Sequence, residues 1–180
     1  MMSKKIVVSI TLVMSVVILS FTLYVNATAP NLAMPDLSGH CLNRAVSFTT
    51  ALTASSLTNI QSWQVNVTFD PGTIATMSYA LGNPFTGQNT FTAARNSTAA
   101  GYFMLGMTFY NGAGPYTTAS QVTLVTFTWK TLVYHPTVFF HIVLSSEQPQ
   151  TGTLLLDPNQ NQQQYTATDG FLGCQLRPSH

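Results

Sequence analysis

Charged side chains are scarce in this 180-residue sequence. Five Asp or Glu and six Lys or Arg make up 6% of the chain, whereas a soluble domain usually carries about 25%. Acid–base catalysis, metal binding and phosphate binding all depend on such groups, so the composition argues against an enzyme and predicts neither a metal ion nor a cofactor. The polar surface must come from Thr, Ser, Asn and Gln, which is typical of a binding or structural protein.

The sequence also lacks a cluster of basic residues. Two of the six basic residues, Lys4 and Lys5, precede a long apolar segment, and from residue 30 onward four basic residues stand against five acids. A protein that binds nucleic acid needs a basic patch to neutralise phosphates. We therefore predict no nucleic-acid partner.

Motifs of the common enzyme classes are missing as well. No G-x-S-x-G, P-loop, G-x-G-x-x-G or H-E-x-x-H occurs, so we predict no catalytic residues.

His141 is interpreted as a surface or hydrogen-bonded histidine rather than a metal ligand. The segment that begins at Asp157 hints at a calcium loop but has neither Gly at its sixth position nor Glu at its twelfth. Asp70, Asp157 and Asp169 stand beside Pro or Gly, and we expect them to cap backbone N–H groups in turns.

Only two cysteines are present, Cys41 and Cys174. A disulfide between them would close a loop of roughly 130 residues and stabilise the fold through the unfolded state. The alternative is a reactive or metal-binding thiol, but no C-x-x-C motif and no nearby His cluster supports it. We predict the disulfide, which fits an oxidising compartment.

One long apolar run, residues 6–25, follows Lys4 and Lys5 and contains no charge. It is long enough to cross a bilayer, and the basic flank predicts that the rest of the chain lies outside the cytoplasm, at the cell surface. Residues 1–29 are either a cleaved signal peptide or a transmembrane anchor helix. An A-x-A site favours cleavage and Pro30 opposes it, so both remain open. Sequons at Asn26, Asn66 and Asn96 predict glycosylation.

The remaining chain has the periodicity of strands. Residues 30–44, rich in Pro, Asn and Ser, are predicted to be a linker before a domain of residues 45–180. Four segments alternate apolar and polar residues with period two: 63–69, 102–109, 125–130 and 138–144. Turn residues separate them, and no segment after residue 25 predicts a helix. The pattern predicts an all-β sandwich or barrel.

Three segments in register resemble the cohesin-like family, β-sandwich modules related to cellulose-binding modules. They are residues 60–71 (IQSWQVNVTFDP), residues 124–130 (LVTFTWK), and residues 155–159 with 168–171 (LLDPN and TDGF). The resemblance spans about residues 45–174. It implies a nine-strand jelly-roll β-sandwich, here behind an N-terminal hydrophobic helix.

The resemblance also implies a binding role, since cohesins bind dockerin modules and related sandwiches bind carbohydrate. We expect a non-enzymatic cell-surface module whose partner is a surface protein, dockerin-like or a copy of itself, with polysaccharide as the alternative. Alternation places one set of side chains on the face of a strand opposite the core, where exposed apolar area marks a partner surface. This set comprises Tyr102, Met104, Thr108 and Tyr110, with Tyr116 from the adjoining loop.

Overall fold

The computed structural model of the chain describes residues 28–175. The predicted signal peptide or anchor and the sequon at Asn26 therefore lie almost wholly outside the described residues. Within the described range, no helix has the length and apolar character needed to span a membrane. The structure confirms the all-β prediction, because every regular element in this range is a strand.

Fourteen strands make up the described part of the chain, so the count of nine implied by the resemblance is not confirmed. Several of the additional strands are only three residues long. In chain order they are β1 Asn31–Ala33, β2 Asp36–Ser38, β3 Ser47–Ser55, β4 Leu57–Ile60, β5 Ser62–Thr68, β6 Ile74–Leu81, β7 Thr90–Ser97, β8 Tyr102–Phe109, β9 Tyr116–Thr118, β10 Val122–Thr131, β11 Val138–Ile142, β12 Leu154–Leu156, β13 Thr166–Thr168 and β14 Gly170–Gly173.

The strands form two main sheets that enclose a single core. The first sheet has the order β13-β1-β3-β10-β6, and the second has the order β2-β14-β11-β5-β8-β7. β12 pairs with β5 beside β11, while β4 and β9 form a separate two-stranded sheet. Most neighbouring strands are antiparallel, and the two parallel pairs, β1 with β13 and β2 with β14, join the two ends of the described chain.

Period-two patterning explains the long strands. Along β8 the residues alternate between half-buried and buried, and along β10 they do so from Val125 onward. The inward side chains meet in a core rich in aromatic rings, where Trp129 lies 5.0 Å from Phe69 and 5.3 Å from Phe127 between ring centroids. The indole Nε1 of Trp129 donates a 2.8 Å hydrogen bond to Thr50 Oγ1, which satisfies a buried polar pair inside the core.

The segment 30–44, predicted to be a linker, is part of the sandwich. β1 adds to the edge of β3, and β2 adds to the edge of β14. Leu32 and Met34 are buried in the core, so these apolar side chains hold the proline-rich segment against the sandwich. The predicted disulfide is confirmed: Cys41, just after β2, is bonded to Cys174, just after β14.

The acidic side chains accept hydrogen bonds from backbone N–H groups. The prediction that acids cap N–H groups in turns is confirmed for Asp70 and Asp157. Asp169 also accepts a hydrogen bond from a backbone N–H, but the donor is Ile142 at the end of β11, and Asp36 and Glu147 accept from backbone N–H groups as well. The hydrogen bonds run from Ser38 N to Asp36 (2.9 Å), Gly72 N to Asp70 (2.8 Å), Leu144 N to Glu147 (2.8 Å), Asn159 N to Asp157 (2.8 Å) and Ile142 N to Asp169 (2.9 Å).

Candidate interaction face

The outer surface of the second sheet over β5, β7 and β8 contains two depressions. β8 lies between the other two strands, and its outward residues face the outward residues of both neighbours in continuous register. We call this surface the outer face. Its strand residues are Ser62, Gln64, Asn66 and Thr68 of β5, Phe91, Ala93, Arg95 and Ser97 of β7, and Tyr102, Met104, Gly106 and Thr108 of β8.

One half of the outer face is an apolar trough. Gly106 has no side chain and lies directly between Ala93 and Gln64 on the neighbouring strands. Phe91 forms one wall and is 64% exposed, while Leu154 and Leu156 of β12 form the other. The trough has a volume of about 260 Å³. Small residues at the floor and apolar residues at the walls make a depression that fits an apolar side chain of another protein.

The other half of the outer face is a polar pocket of about 410 Å³ lined in part by Arg95, Tyr102 and Met104. The guanidinium carbon of Arg95 lies 5.9 Å from the centroid of the Tyr102 ring, a cation–π distance. Arg95 is the sole charged side chain among the outer-face residues, and it makes no salt bridge within residues 28–175. A carboxylate from a partner would therefore meet an unneutralised cation here.

The rim of this pocket is the loop between β11 and β12, and amide side chains of β5 fasten it. Gln64 Nε2 donates to Gly152 O at 2.8 Å, and Asn66 Nδ2 donates to Thr151 O at 2.9 Å. Asn66 is 95% buried as a result. Its Nδ2 is the atom that a glycan would modify, so the folded domain does not fit the predicted glycosylation at Asn66. Asn96 is exposed on β7, and its glycosylation stays a prediction.

The structure brings together three of the five predicted face residues. Tyr102 and Met104 line the polar pocket, and Thr108 lines the apolar trough. Tyr110 is exposed but follows the end of β8 and lines neither depression. Tyr116 lies in β9 of the separate two-stranded sheet, where it packs on the core.

Tyr102 is also a poor platform for a sugar ring. Arg95 lies over its ring, which is the surface on which a sugar would stack. The other strand aromatic of the outer face, Phe91, is opposite Thr108, six residues along β8 from Tyr102, or about 20 Å at the usual strand rise. The structure therefore provides no pair of neighbouring aromatic rings on this face, and the polysaccharide partner stays an unsupported alternative.

The remaining residues of the face were not predicted from the sequence. Phe91 and Arg95 lie in β7, an edge strand that shows no buried alternation, and Leu154 and Leu156 lie in the three-residue β12. The available signal was the alternation of Phe91, Ala93 and Arg95 with Thr92 and Ala94. It does not reveal that β7 neighbours β8, because that pairing is set by the fold.

His141 is engaged on both sides, as expected of a hydrogen-bonded histidine. Its Nδ1 lies 2.7 Å from Asp169 Oδ2, and its Nε2 lies 3.1 Å from Glu147 Oε2. Partial burial lowers the pKa of His141, but the hydrogen bonds and negative charges of the two carboxylates outweigh it, so this pKa lies above its ordinary value of 6.5. Within residues 28–175 no three His, Cys, Asp or Glu side chains are grouped to hold a metal ion.

Comparison by sequence finds no relative. No protein-family model matches the chain, and no curated protein matches it either.

Comparison by structure finds cohesin domains. A non-cellulosomal cohesin from Archaeoglobus fulgidus superposes with a TM-score of 0.61 at 6% identity, over 81% of this chain and 91% of that one. A type II cohesin from the cellulosome of Acetivibrio cellulolyticus gives 0.63 at 15% identity, over 80% and 94%. A chain of a type I cohesin–dockerin complex from Clostridium thermocellum gives 0.65 at 7% identity, over 81% and 99%. The described domain therefore has the cohesin fold, as the sequence resemblance implied.

Proposed function

We propose that this chain is a non-enzymatic protein-binding module that acts outside the cytoplasm and holds its partner on the outer face. The observation that carries the proposal is the apolar trough over Gly106, bounded by the exposed ring of Phe91 and by β12. An exposed aromatic beside a preformed depression is the usual setting of an energetic hot spot in a protein interface.

The structural neighbours support the same role. Several of them are cohesins solved with dockerins, including the complex from Clostridium thermocellum and complexes from Acetivibrio cellulolyticus. Because the likeness is one of fold, a dockerin-like partner for this chain is part of the proposal. The face here is nearly neutral, so apolar contact is the main source of affinity, and Arg95 supplies one charge-specific contact.

Two further observations support an extracytoplasmic, non-catalytic role. The Cys41–Cys174 disulfide fits an oxidising compartment. All five acids accept hydrogen bonds from backbone N–H groups, so each is already committed to holding a turn or a strand end. Whether residues 1–29 are cleaved or stay as a membrane anchor is decided by the intact mass of the exported protein.

A single substitution tests the trough. A Cβ atom built on Gly106 has no neighbour closer than 3.9 Å, so the backbone accepts a side chain there, and Gly106→Trp places an indole ring in the trough. Thr49→Trp is the matched control, since Thr49 is exposed on β3 in the other sheet. We expect Gly106→Trp to lose at least about tenfold in affinity, equivalent to about 1.4 kcal/mol, and Thr49→Trp to keep it.

The measurement uses the full chain as bait and two defined probes, a type I and a type II dockerin, together with the extracellular fraction of the source cells. Bound proteins are identified by mass spectrometry, and the affinities of the native chain and of each variant are measured by biolayer interferometry. Undiminished binding by Gly106→Trp would place the interaction elsewhere. Binding of polysaccharide on a glycan array, without protein capture, would replace this proposal with the alternative.

A further inference from the structure

The edge of the second sheet, β7, is open to another strand. β7 is eight residues long and pairs on one side only, with β8, in a register without a bulge. Proteins usually protect such edges with short strands, bulges, Pro or charged side chains, especially Lys. Within residues 28–175 the other sheet-edge strands have such protection: β2 and β13 have three residues each, and β6 has an extra residue, Met77, opposite β10. β7 contains neither Pro nor Lys, and its one charged side chain, Arg95, lies over the Tyr102 ring on the outer face.

The hydrogen-bond pattern shows which groups of β7 are free. Tyr110 N donates to Asn89 O at 2.9 Å, one pair beyond the Thr90–Phe109 pair. In an antiparallel ladder the bonded pairs alternate, so Phe91, Ala93, Arg95 and Ser97 direct their backbone groups toward β8. The intervening residues Thr90, Thr92, Ala94 and Asn96 direct their N–H and C=O groups outward.

The other edge of β8 gives an independent check. Phe109 N donates to Gln61 O at 3.0 Å, so the odd-numbered residues of β8 bond to β5 and the even-numbered ones bond to β7. This agrees with the assignment above. The outward N–H and C=O groups of β7 therefore have no backbone hydrogen-bond partner within residues 28–175. They form a regular row of donors and acceptors.

We infer that β7 pairs antiparallel with β7 of a second copy of this chain. A two-fold axis perpendicular to the sheet keeps the outer face of each copy on the same side. When the axis passes through Ala93, Thr90 faces Asn96 of the second copy, and Thr92 faces Ala94 of the second copy. All four outward residues of each strand then lie in hydrogen-bonded pairs, so the row of donors and acceptors is fully satisfied.

Side chains also favour this register over its neighbours. Ala93 is small and faces its own copy, and Arg95 faces Phe91 of the second copy, which suits a cation–π contact. A register centred on Arg95 would bring two guanidinium groups opposite each other. A register centred on Ala94 would leave Thr90 beyond the end of the partner strand. The net charge of +1 adds little long-range repulsion between copies.

This inference goes beyond the proposed function. The strands join within the plane of the sheet, so the floor of the trough at Gly106 and its β12 wall stay uncovered, although Phe91 and Arg95 meet the second copy at the edge of the outer face. The dimer would present two outer faces side by side on one continuous sheet. Loss of dimerisation therefore leaves each trough able to bind, and loss of the trough leaves the dimer intact, so the two proposals fail separately.

Cysteine cross-linking in the full chain tests the register. The paired Cα atoms of Ala93 would lie about 4.5 Å apart, within the roughly 4.4–6.8 Å that a disulfide spans. The two Thr90 residues would lie six positions apart, about 20 Å. We expect Ala93→Cys to form a disulfide-linked dimer on oxidation and Thr90→Cys to form no intermolecular disulfide, as judged by non-reducing gel electrophoresis. Equal cross-linking of both variants, or of neither, overturns the register.

Proline substitution tests the edge itself. Ala94→Pro removes an outward N–H and leaves the ladder to β8 unbroken, whereas Ala93→Pro removes an N–H that bonds to β8. The chains are made in a host without N-glycosylation, so that Asn96 is unmodified, and their masses are measured by light scattering.

We expect the native chain to have twice the mass of one chain and Ala94→Pro to have the mass of one chain with an unchanged circular dichroism spectrum. Ala93→Pro should lower the melting temperature. A native chain that is monomeric at every concentration, or an Ala94→Pro variant that is folded and still dimeric, overturns the inference.

Discussion

Removal of the Cys41–Cys174 disulfide should cost this domain a large part of its stability. The bridge joins residues 133 positions apart in sequence, and the chain-entropy model assigns about 5 kcal/mol at 25 °C to a loop of that length. A single domain is usually stable by only about 5–15 kcal/mol. Cys41 is exposed and Cys174 is half-buried, so replacing both with Ser removes little packing and isolates the effect on the unfolded chain.

Urea unfolding of the Cys41→Ser, Cys174→Ser double variant, followed by the fluorescence of the buried Trp63 and Trp129, measures this effect. We expect the free energy of unfolding to fall by about 5 kcal/mol, and the dependence on urea to steepen because the unfolded chain exposes more surface. The native chain under reducing conditions is the control and should show the same loss. A loss below about 1 kcal/mol would refute the reasoning, since it would mean that the unfolded chain gains no freedom without the bridge.

Two further predictions concern the core and the ionised surface. Trp129→Phe leaves Thr50 Oγ1 without its 2.8 Å donor in the core, so the free energy of unfolding should fall by about 1–3 kcal/mol, and adding Thr50→Val should recover part of it in a double-mutant cycle. The pKa of His141 is raised by Asp169 and Glu147, so its contribution to stability is complete below pH 6.5 and is lost as the pH rises through the higher pKa of the folded state. An NMR titration should give a pKa above 6.5, and the melting temperature should fall over that range in the native chain but not in His141→Gln; a pKa at or below 6.5 would contradict this.

Alternation predicts several strands that have one buried face, although it missed β3, an interior strand whose short Thr and Ala side chains give weak hydropathy alternation. β5, β8 and β10 lie inside a sheet and pack on the core, and the segments predicted for them overlap the observed strands. β6 and β7 were not predicted, because their edge position leaves most of their residues exposed on both faces. An edge strand is held mainly by backbone hydrogen bonds to one neighbour, so its side chains need not alternate between apolar and polar. Its sequence therefore does not show the period-two pattern by which the other strands were predicted.

The same reasoning explains which face residues could be found. The outward positions of β8 follow from its own alternation, so Tyr102, Met104 and Thr108 were identified. Their neighbours on β7 and β12 depend on register between strands that are distant in sequence. Tyr110 was misplaced because β8 ends at Phe109, and Tyr116 was misplaced because a loop position does not reveal that β9 pairs with β4. Local pattern therefore predicts which side of a strand faces out but not what lies beside it.

The distribution of acids links the unusual composition to the proposed function. Every acid of this charge-poor domain accepts a hydrogen bond from a backbone N–H group. Each is a structural residue at a turn or strand end, so the surfaces available to partners contain no carboxylate from β5, β7 or β8. Recognition on these strands must then depend on shape, apolar contact and backbone hydrogen bonds. The proposed contacts at the trough over Gly106 and at the edge of β7 use those interactions, and Arg95 is the one charged side chain that β5, β7 and β8 add to them.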